Sequence, residues 1–388
     1  MDFLRERLAS LKKAGLYRTL REHHGPQAAT TRIDGKEVVQ LSSNNYLGLA
    51  NHPRLKAAAH EALERFGSGS GASRLVCGNL TLNGMLEDKI AAVKKQESAL
   101  LFSTGYMANM GILAALMEEG DIIFSDALNH ASIIDGCRMS TAQVRVYPHK
   151  DMDALEKGLK ESKHCRKRLV VTDGIFSMDG DIAPLPDLVS LAERYKCMLM
   201  LDDAHATGVL GAHGGGTGEH FSLQDRVDIT MGTLGKALGG FGAFVAGDHS
   251  LRAFLINRAR PFIFTTGLPP AVIASGIAAL ELLEEEPALR VKLWKNVAFF
   301  REGMETLGFD LLESETQIIP VLVGDASLTM QMGEMLFHEG VFVQGIRPPA
   351  VPRGSSRLRI TIMATHTREQ LVRALEALEK VGKRLGII

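Results

Sequence analysis

The sequence predicts an α/β protein in which helices cover a mostly parallel sheet, with a smaller α+β domain at the C-terminal end. From about residue 99, short runs of β-forming residues alternate with helical patterns, and after about residue 287 this alternation stops. Such alternation is typical of a parallel sheet with helices on both faces. The predicted strands of the large domain span residues 99–102, 122–125, 144–147, 169–172, 198–201, 229–232 and 243–246.

The pattern divides the chain into an N-terminal segment (residues 1–45), a large domain (46–286) and a small domain (287–388). Leucines spaced among charges over residues 1–21 predict an amphipathic helix, which we expect to pack beside the small domain together with an extended stretch at 37–41. In the small domain, Leu293, Val297 and Met304 mark one face of a helix. Three strand patterns follow at residues 318–323, 341–344 and 358–362, with two further helices at 328–338 and from about 368, which together predict a small antiparallel sheet with helices packed on it.

Composition and charge exclude several classes of protein. A net charge of −1 over 388 residues provides no field to attract nucleic acid, so we expect no nucleic-acid partner. The longest mostly apolar stretch, residues 269–283, is too short to span a bilayer. The scattered cysteines show no metal-ligand spacing and no disulfide framework. We therefore expect a cytoplasmic protein with no membrane association and no metal.

Two motifs carry the chemistry that can be inferred from the residues themselves. Asp202 and Asp203 end an apolar run that reads as a buried strand, and ligands of open α/β sheets bind at such strand ends. Lys236 follows the next strand and is flanked by Gly235, Gly239 and Gly240. A lysine that only contributes to surface solubility does not require glycines on both sides. The spacing therefore indicates that Asp202 and Lys236 share a binding site.

Short motifs along nearly the whole chain strengthen this interpretation. They are SSNNYLGL (42–49), GSGSGASR (67–74), STGY (103–106), NHAS (129–132), DGIFSMDGD (173–181), DDAHATG (202–208), TLGK (233–236), FIFTTGLPP (262–270) and IRPPAVPRG (346–354). Together they resemble the α-oxoamine synthases, a branch of the fold type I pyridoxal-phosphate-dependent transferases. The resemblance implies pyridoxal 5'-phosphate as cofactor.

The same resemblance implies four catalytic residues. Lys236 would carry the cofactor as a Schiff base and then move protons at the substrate α-carbon, as a positioned amine can. Asp202 would keep the pyridine nitrogen protonated, so that the ring accepts electrons, and Asp203 would have a structural role. His205 would hydrogen-bond the phenolic oxygen, and His130 would stack on the ring.

Further cofactor contacts are implied by the same motifs. Ser177 would be a second contact to the phenolic oxygen. The phosphate would be bound by Gly105 and Tyr106 at a helix N-terminus, together with the Thr233 hydroxyl. Thr266, with Thr265 as a second candidate, would reach the cofactor phosphate of a partner subunit. The resemblance therefore implies a homodimer with shared active sites.

Substrate contacts follow from the resemblance as well. Arg359 matches the arginine that pairs with the amino-acid carboxylate, a role suited to a bidentate donor, with Arg357 as the alternative if the register shifts. Asn44 would be a second contact to this carboxylate. Arg18 matches a position near the acyl-thioester entrance, and a solvated role for it is equally compatible with the sequence.

The reaction implied is a decarboxylating condensation of L-alanine with an acyl thioester, and the IRPPAVP segment favours pimeloyl-CoA or pimeloyl-acyl carrier protein, in biotin synthesis. Three alternatives remain open. A glycine C-acetyltransferase or a synthase of long-chain aminoketone signals would use other substrates within the same branch. An aminotransferase would release no carbon dioxide. A noncatalytic regulator that binds pyridoxal phosphate would not need its catalytic positions to be occupied by functional residues, whereas all of them are occupied here.

Overall fold

The computed structural model describes residues 1–388, which contain fourteen strands and fourteen α-helices. The strands are β1 (His23–His24), β2 (Thr30–Ile33), β3 (Lys36–Gln40), β4 (Ser98–Phe102), β5 (Ile122–Asp126), β6 (Gln143–Tyr147), β7 (Arg168–Asp173), β8 (Met198–Asp202), β9 (Ile229–Thr233), β10 (Ala243–Gly247), β11 (Ile318–Gly324), β12 (Val341–Phe342), β13 (Gln344–Ile346) and β14 (Ser356–Thr361).

The helices differ widely in length, from four to nineteen residues. They are α1 (Asp2–Lys13), α2 (Pro53–Phe66), α3 (Thr81–Lys94), α4 (Gly105–Leu116), α5 (Ala131–Met139), α6 (Met152–Glu161), α7 (Leu185–Tyr195), α8 (Thr217–His220), α9 (His249–Arg258), α10 (Arg260–Ile263), α11 (Pro270–Glu285), α12 (Ala288–Thr306), α13 (Ala326–His338) and α14 (Arg368–Leu385). None combines the length and apolar character needed to cross a membrane.

The chain forms two compact units. The larger unit comprises Asn44–Ser177 and Asp181–Lys292. The smaller unit comprises Met1–Ser43, Met178–Gly180 and Leu293–Ile388.

The larger unit is built on a seven-stranded sheet in the order β4-β10-β9-β8-β7-β5-β6. Only β10 runs antiparallel to its neighbours, so the sheet is mostly parallel, as predicted. Alternate residues of β7 enter different cores: Leu169 and Val171 pack in one cluster and Val170 in another. The first cluster includes residues of α4, α5 and α9, and the second includes residues of α6 and α7. Because helices cover both faces of the sheet, its side chains are accessible to ligands at the ends of the strands.

The smaller unit contains a three-stranded antiparallel sheet, β11-β14-β13, and a four-stranded sheet, β1-β2-β3-β12. The predicted strand at residues 341–344 is wrong as one element, because Val343 separates two short strands. β12 pairs in parallel with β3, whereas β13 pairs antiparallel with β14. The chain changes sheets at Val343, so a single strand cannot continue through it.

The N-terminal helix is shorter than predicted. α1 ends at Lys13, and Gly15 adopts the left-handed conformation (φ +67°) that stops helices, so the prediction of a helix to residue 21 is wrong. α1 buries none of its residues. The extended segment is confirmed as β3, which pairs with β12 of the same unit.

Candidate active site

The polar ends of neighbouring parallel strands meet at one edge of the large sheet. Asp173 ends β7 and is the direct register partner of Asp202, which ends β8, while Thr233 ends β9. Beside them is a cavity of about 210 Å³. Its lining comprises Gly105, Tyr106, His130, Ser132, Asp173, Asp202, Ala204, His205, Met231, Thr233 and Lys236. The structure thus brings together all the predicted catalytic residues and most of the predicted cofactor contacts.

Lys236 lies at one end of a hydrogen-bonded chain. Its Nζ is 3.0 Å from Nε2 of His205, and the His205 Nδ1 is 2.7 Å from the Tyr46 hydroxyl. The Tyr46 hydroxyl donates to Oδ1 of Asn44 at 3.1 Å. A phenol has one proton, so this donation leaves Nδ1 of His205 to donate to the Tyr46 oxygen. Nε2 of His205 is the ring nitrogen that faces the Lys236 amine.

The carboxylate of Asp202 is fixed by two donors. Oδ2 accepts a hydrogen bond from the Asn109 amide at 2.8 Å, and Oδ1 accepts one from the Ala204 backbone N–H at 2.9 Å. Asp202 is 3% exposed, and Asn109, on α4, is fully buried. Since both oxygens are held and water is largely excluded, the carboxylate has one orientation at the cavity wall.

Asp173 and His130 form a second pair at the wall. The backbone N–H of His130 donates to Oδ2 of Asp173 at 2.6 Å. Burial raises the pKa of Asp173 well above its usual range, and the negative charge of Asp202 adds to this effect. The His130 ring faces the cavity, and its Nδ1 is 2.7 Å from the Ser132 hydroxyl. Loss of water contact lowers the pKa of His130, so the imidazole is neutral at pH 7.

The N-terminus of α4 reaches the cavity through Gly105 and Tyr106. The hydroxyl of Thr104 caps this helix by accepting from the Met107 backbone N–H at 3.1 Å. A Cβ added at Gly105 would lie 2.8 Å from Cγ2 of Thr233, so glycine allows the helix to approach the lysine loop closely. The unpaired N–H groups of a helix N-terminus are suited to binding an anion.

Several predicted cofactor contacts do not line this cavity within the chain. Thr265 and Thr266 line a separate small cavity together with Arg74. Thr266 forms an isolated antiparallel bridge with Ser73. Ser177 is partly buried and lies outside the residues that line the 210 Å³ cavity. Asn44 accepts a hydrogen bond from the Tyr46 hydroxyl, which in turn contacts His205.

The predicted arginines belong to the smaller unit. Arg18 lines a cavity of about 580 Å³ together with Arg21 and Arg347. Arg359 is buried on β14 (8% exposed). Nη1 of Arg357 is 2.6 Å from Oδ1 of Asp179, so Arg357 already has a carboxylate partner within the protein.

Sequence reasoning missed Tyr46, Asn109, Ser132 and Asp173. Tyr46, Ser132 and Asp173 lie inside motifs that were recognised as whole segments, but nothing in those motifs indicates which residue each side chain contacts. Asn109 did offer a signal, because it is the one amide in the largely apolar helix GYMANMGILAAL.

Comparisons with known proteins place the chain in a family. The family model described as aminotransferase class I and II matches residues 36–378. An 8-amino-7-oxononanoate synthase of Thermoanaerobacter pseudethanolicus is 52% identical over 389 residues, covering 100% of this chain and 98% of the relative. The synthase of the same name from Geobacter sulfurreducens is 54% identical over 383 residues, covering 98% of each chain.

Solved structures with the same fold include two enzymes. A serine palmitoyltransferase from S. paucimobilis with bound PLP superposes with a TM-score of 0.95 at 33% identity, covering 100% of this chain and 98% of the other. An 8-amino-7-oxononanoate synthase from Francisella tularensis gives a TM-score of 0.78 at 30% identity, covering 89% of this chain and 98% of the other.

Proposed function

The chain belongs to the aminotransferase class I and II family and to its α-oxoamine synthase branch, and from this premise we propose that it condenses L-alanine with a pimeloyl thioester. The products are 8-amino-7-oxononanoate, carbon dioxide and the free thiol, in biotin synthesis. The observation that carries this proposal is full-length identity of 52–54% to relatives that bear the name of this synthase.

The donor set around the cavity fits pyridoxal phosphate, the cofactor of this enzyme class. Lys236 offers an amine for the aldehyde, and Asp202 offers a fixed carboxylate for the pyridine nitrogen. The start of α4 and the Thr233 hydroxyl suit the phosphate. Bound pyridoxal phosphate supplies an electron-accepting ring for the negative charge that develops at the amino-acid α-carbon.

The chain's own residues then have distinct tasks. Lys236 takes the α-proton of L-alanine, because a neutral amine beside that carbon is a positioned base. His205 orients the Lys236 amine through their contact at 3.0 Å, and Tyr46 orients His205 from the other ring nitrogen. His130 presents a neutral ring that can lie against the cofactor without adding a positive charge. Once the cofactor is bound, His205 and Ser177 are proposed as the two contacts to its phenolic oxygen.

The positions of Thr265 and Thr266 support a site shared between two chains. They lie outside the Lys236 cavity of their own chain, and their hydroxyls suit a phosphate. We assign them to the cofactor phosphate of the partner subunit, which makes a homodimer the smallest active form.

Substrate contacts are assigned to three residues. Arg359 is assigned to the carboxylate of L-alanine, because its position matches the family's carboxylate-binding arginine and a planar guanidinium can donate two hydrogen bonds to a carboxylate. Asn44 assists through its side-chain amide. Arg18 lines a cavity of about 580 Å³ and provides a cation for the distal carboxylate of the pimeloyl chain.

Release of carbon dioxide from carboxyl-labelled L-alanine tests the reaction. The holoenzyme is assayed with pimeloyl-CoA, pimeloyl-acyl carrier protein, palmitoyl-CoA and acetyl-CoA, and aminoketone formation is measured in parallel. Fastest release with a pimeloyl thioester supports the proposal, and the two carriers distinguish its physiological donor. Release that is faster with palmitoyl-CoA, or transamination without release, would contradict it.

A further inference from the structure

A buried ion pair lies directly behind the Asp202 motif. Nζ of Lys94 is 2.9 Å from Oδ2 of Asp203, and the two side chains are 2% and 1% exposed. Lys94 ends α3, whereas Asp203 follows β8, so the pair joins elements that are 109 residues apart. Burying two charges carries a large desolvation cost, which is offset only when both groups are fully hydrogen-bonded.

Lys94 meets this condition. Its ammonium also donates to the Thr207 hydroxyl at 2.8 Å and to the Gly215 carbonyl at 2.7 Å, so all three N–H groups have acceptors. Glycine makes room for the pair, since a Cβ at Gly174 would lie 2.6 Å from Oδ1 of Asp203. Gly216, at φ +100°, would also place a Cβ against the Asp203 carboxylate.

Asp203 in turn fixes the turn that carries the cofactor contacts. Its backbone N–H donates to the Met231 carbonyl at 2.7 Å, and its own carbonyl accepts from the Thr207 backbone N–H at 2.9 Å. Its carboxylate accepts from the Thr217 backbone N–H at 3.2 Å. Residues 202–207 are therefore anchored through both main chain and side chain, and this segment contains Asp202 and His205.

We propose that Lys94 is a positioning residue for the cofactor site. It neutralises Asp203 and locks residues 202–207, so that the Asp202 carboxylate and the His205 imidazole keep one orientation at the cavity wall. Lys94 itself does not line the cavity. The inference rests on the proposed function only in taking Asp202 and His205 as cofactor contacts.

The chain offers a matched control. Arg290 is another buried cation (6% exposed), and it donates to the Ala212 carbonyl at 2.6 Å and to the Leu283 carbonyl at 2.7 Å. It therefore ties down the loop that follows residues 202–207 without contacting Asp203. If buried cations act here only through stability, Lys94 and Arg290 should behave alike.

The test compares wild type, Lys94→Met, Lys94→Met with Asp203→Leu, and Arg290→Met. Three quantities are measured: the thermal midpoint of the apoprotein, the dissociation constant of pyridoxal phosphate by titration of the apoprotein, and the rate of α-proton exchange of L-alanine in D₂O. None requires an acyl thioester, so failure of the pimeloyl assignment leaves the result interpretable. Wild type that binds cofactor and exchanges the proton but does not condense pimeloyl-CoA contradicts only the proposed substrate.

We expect Lys94→Met to lower the midpoint, to weaken cofactor binding by about tenfold or more and to slow exchange by a similar factor, the usual scale for removing a residue that orients a contacting group. The double variant should recover the midpoint, because no buried charge remains unpaired, while its cofactor binding and exchange stay impaired. Arg290→Met should lower the midpoint and leave both other quantities unchanged.

Recovery of binding and exchange together with stability in the double variant would overturn the inference. So would equal effects of Lys94→Met and Arg290→Met on cofactor affinity. If both Lys94 variants fail to fold while Arg290→Met folds, the pair serves the fold alone, which also overturns it.

Discussion

Nζ of Lys236 lies 3.0 Å from Nε2 of His205, although the two residues come from different loops of the large sheet. The other ring nitrogen of His205 is held at 2.7 Å by Tyr46, a residue far away in the sequence. The lysine is thus oriented by a histidine that is itself oriented, which is the arrangement expected for a base that must reach one carbon reproducibly.

Tyr46→Phe tests the outer part of this arrangement. Removing the hydroxyl frees Nδ1 of His205, so the Lys236 amine loses a fixed partner and kcat should fall by roughly tenfold, the value of one hydrogen bond of about 1–1.5 kcal/mol. Tyr195→Phe is the control, since the Tyr195 hydroxyl bonds Glu156 at 2.8 Å outside the cavity. Equal kcat values for Tyr46→Phe and Tyr195→Phe would argue against this role for Tyr46.

Complementation tests the shared site. Lys236→Ala removes the cofactor-carrying amine, and Thr266→Asp places a negative charge where a phosphate oxygen is expected, so each homodimer should be inactive. A mixed dimer contains one site with both Lys236 and Thr266 intact and should recover part of the wild-type activity. Thr266→Ser, which keeps the hydroxyl, should remain active by itself. Purified mixed dimers with no activity would indicate that each site is built within one chain.

The stability of the larger unit should depend on pH through His149. Its ring nitrogens lie 2.9 Å from Asp126 and 2.9 Å from Asp181, with Lys150 also on Asp181 and Phe176 packed edge-on to the ring. Burial disfavours the imidazolium, but the bonds to Asp126 and Asp181 outweigh this and raise the pKa of His149 to about 9. The folded state therefore binds the proton more tightly than the unfolded state, whose histidine titrates near pH 6.5.

This contribution is complete below about pH 6.5 and is lost as pH rises through about 9. Thermal midpoints measured from pH 6 to pH 9.5 should fall for wild type and fall less for His149→Gln, which keeps hydrogen-bonding capacity without the charge. Parallel curves for the two proteins would show that His149 is not the group responsible.

The sequence predicts the large sheet well and the contacts poorly. All seven of its strands were expected within two residues of their observed bounds, because apolar runs between turn residues carry that information locally. The contact between Tyr46 and His205 spans 159 residues and has no local signal. The same holds for Lys94, which at the end of an ordinary helix resembles a surface residue until tertiary packing buries it.

Arg359→Ala tests recognition of the amino acid. A charge-assisted bidentate pair away from water contributes a few kcal/mol, so kcat/KM for L-alanine should fall roughly a hundredfold. Arg357→Ala should instead lower the thermal midpoint, because it leaves Asp179 without its partner. The reverse outcome, with the loss of L-alanine use confined to Arg357→Ala, would assign the carboxylate to Arg357.

The comparison of two substrate pairs tests the proposed reaction most directly. One methyl group separates alanine from glycine, a difference of about 1–3 kcal/mol, so preference for alanine alone should be marked but incomplete. The pimeloyl chain adds a distal carboxylate that Arg18 can attract, whereas an acetyl group has none. We expect a higher kcat/KM for pimeloyl-CoA with L-alanine than for acetyl-CoA with glycine. In Arg18→Ala, the ratio of these two kcat/KM values should decrease. A higher kcat/KM for acetyl-CoA with glycine would contradict the assignment to 8-amino-7-oxononanoate synthesis.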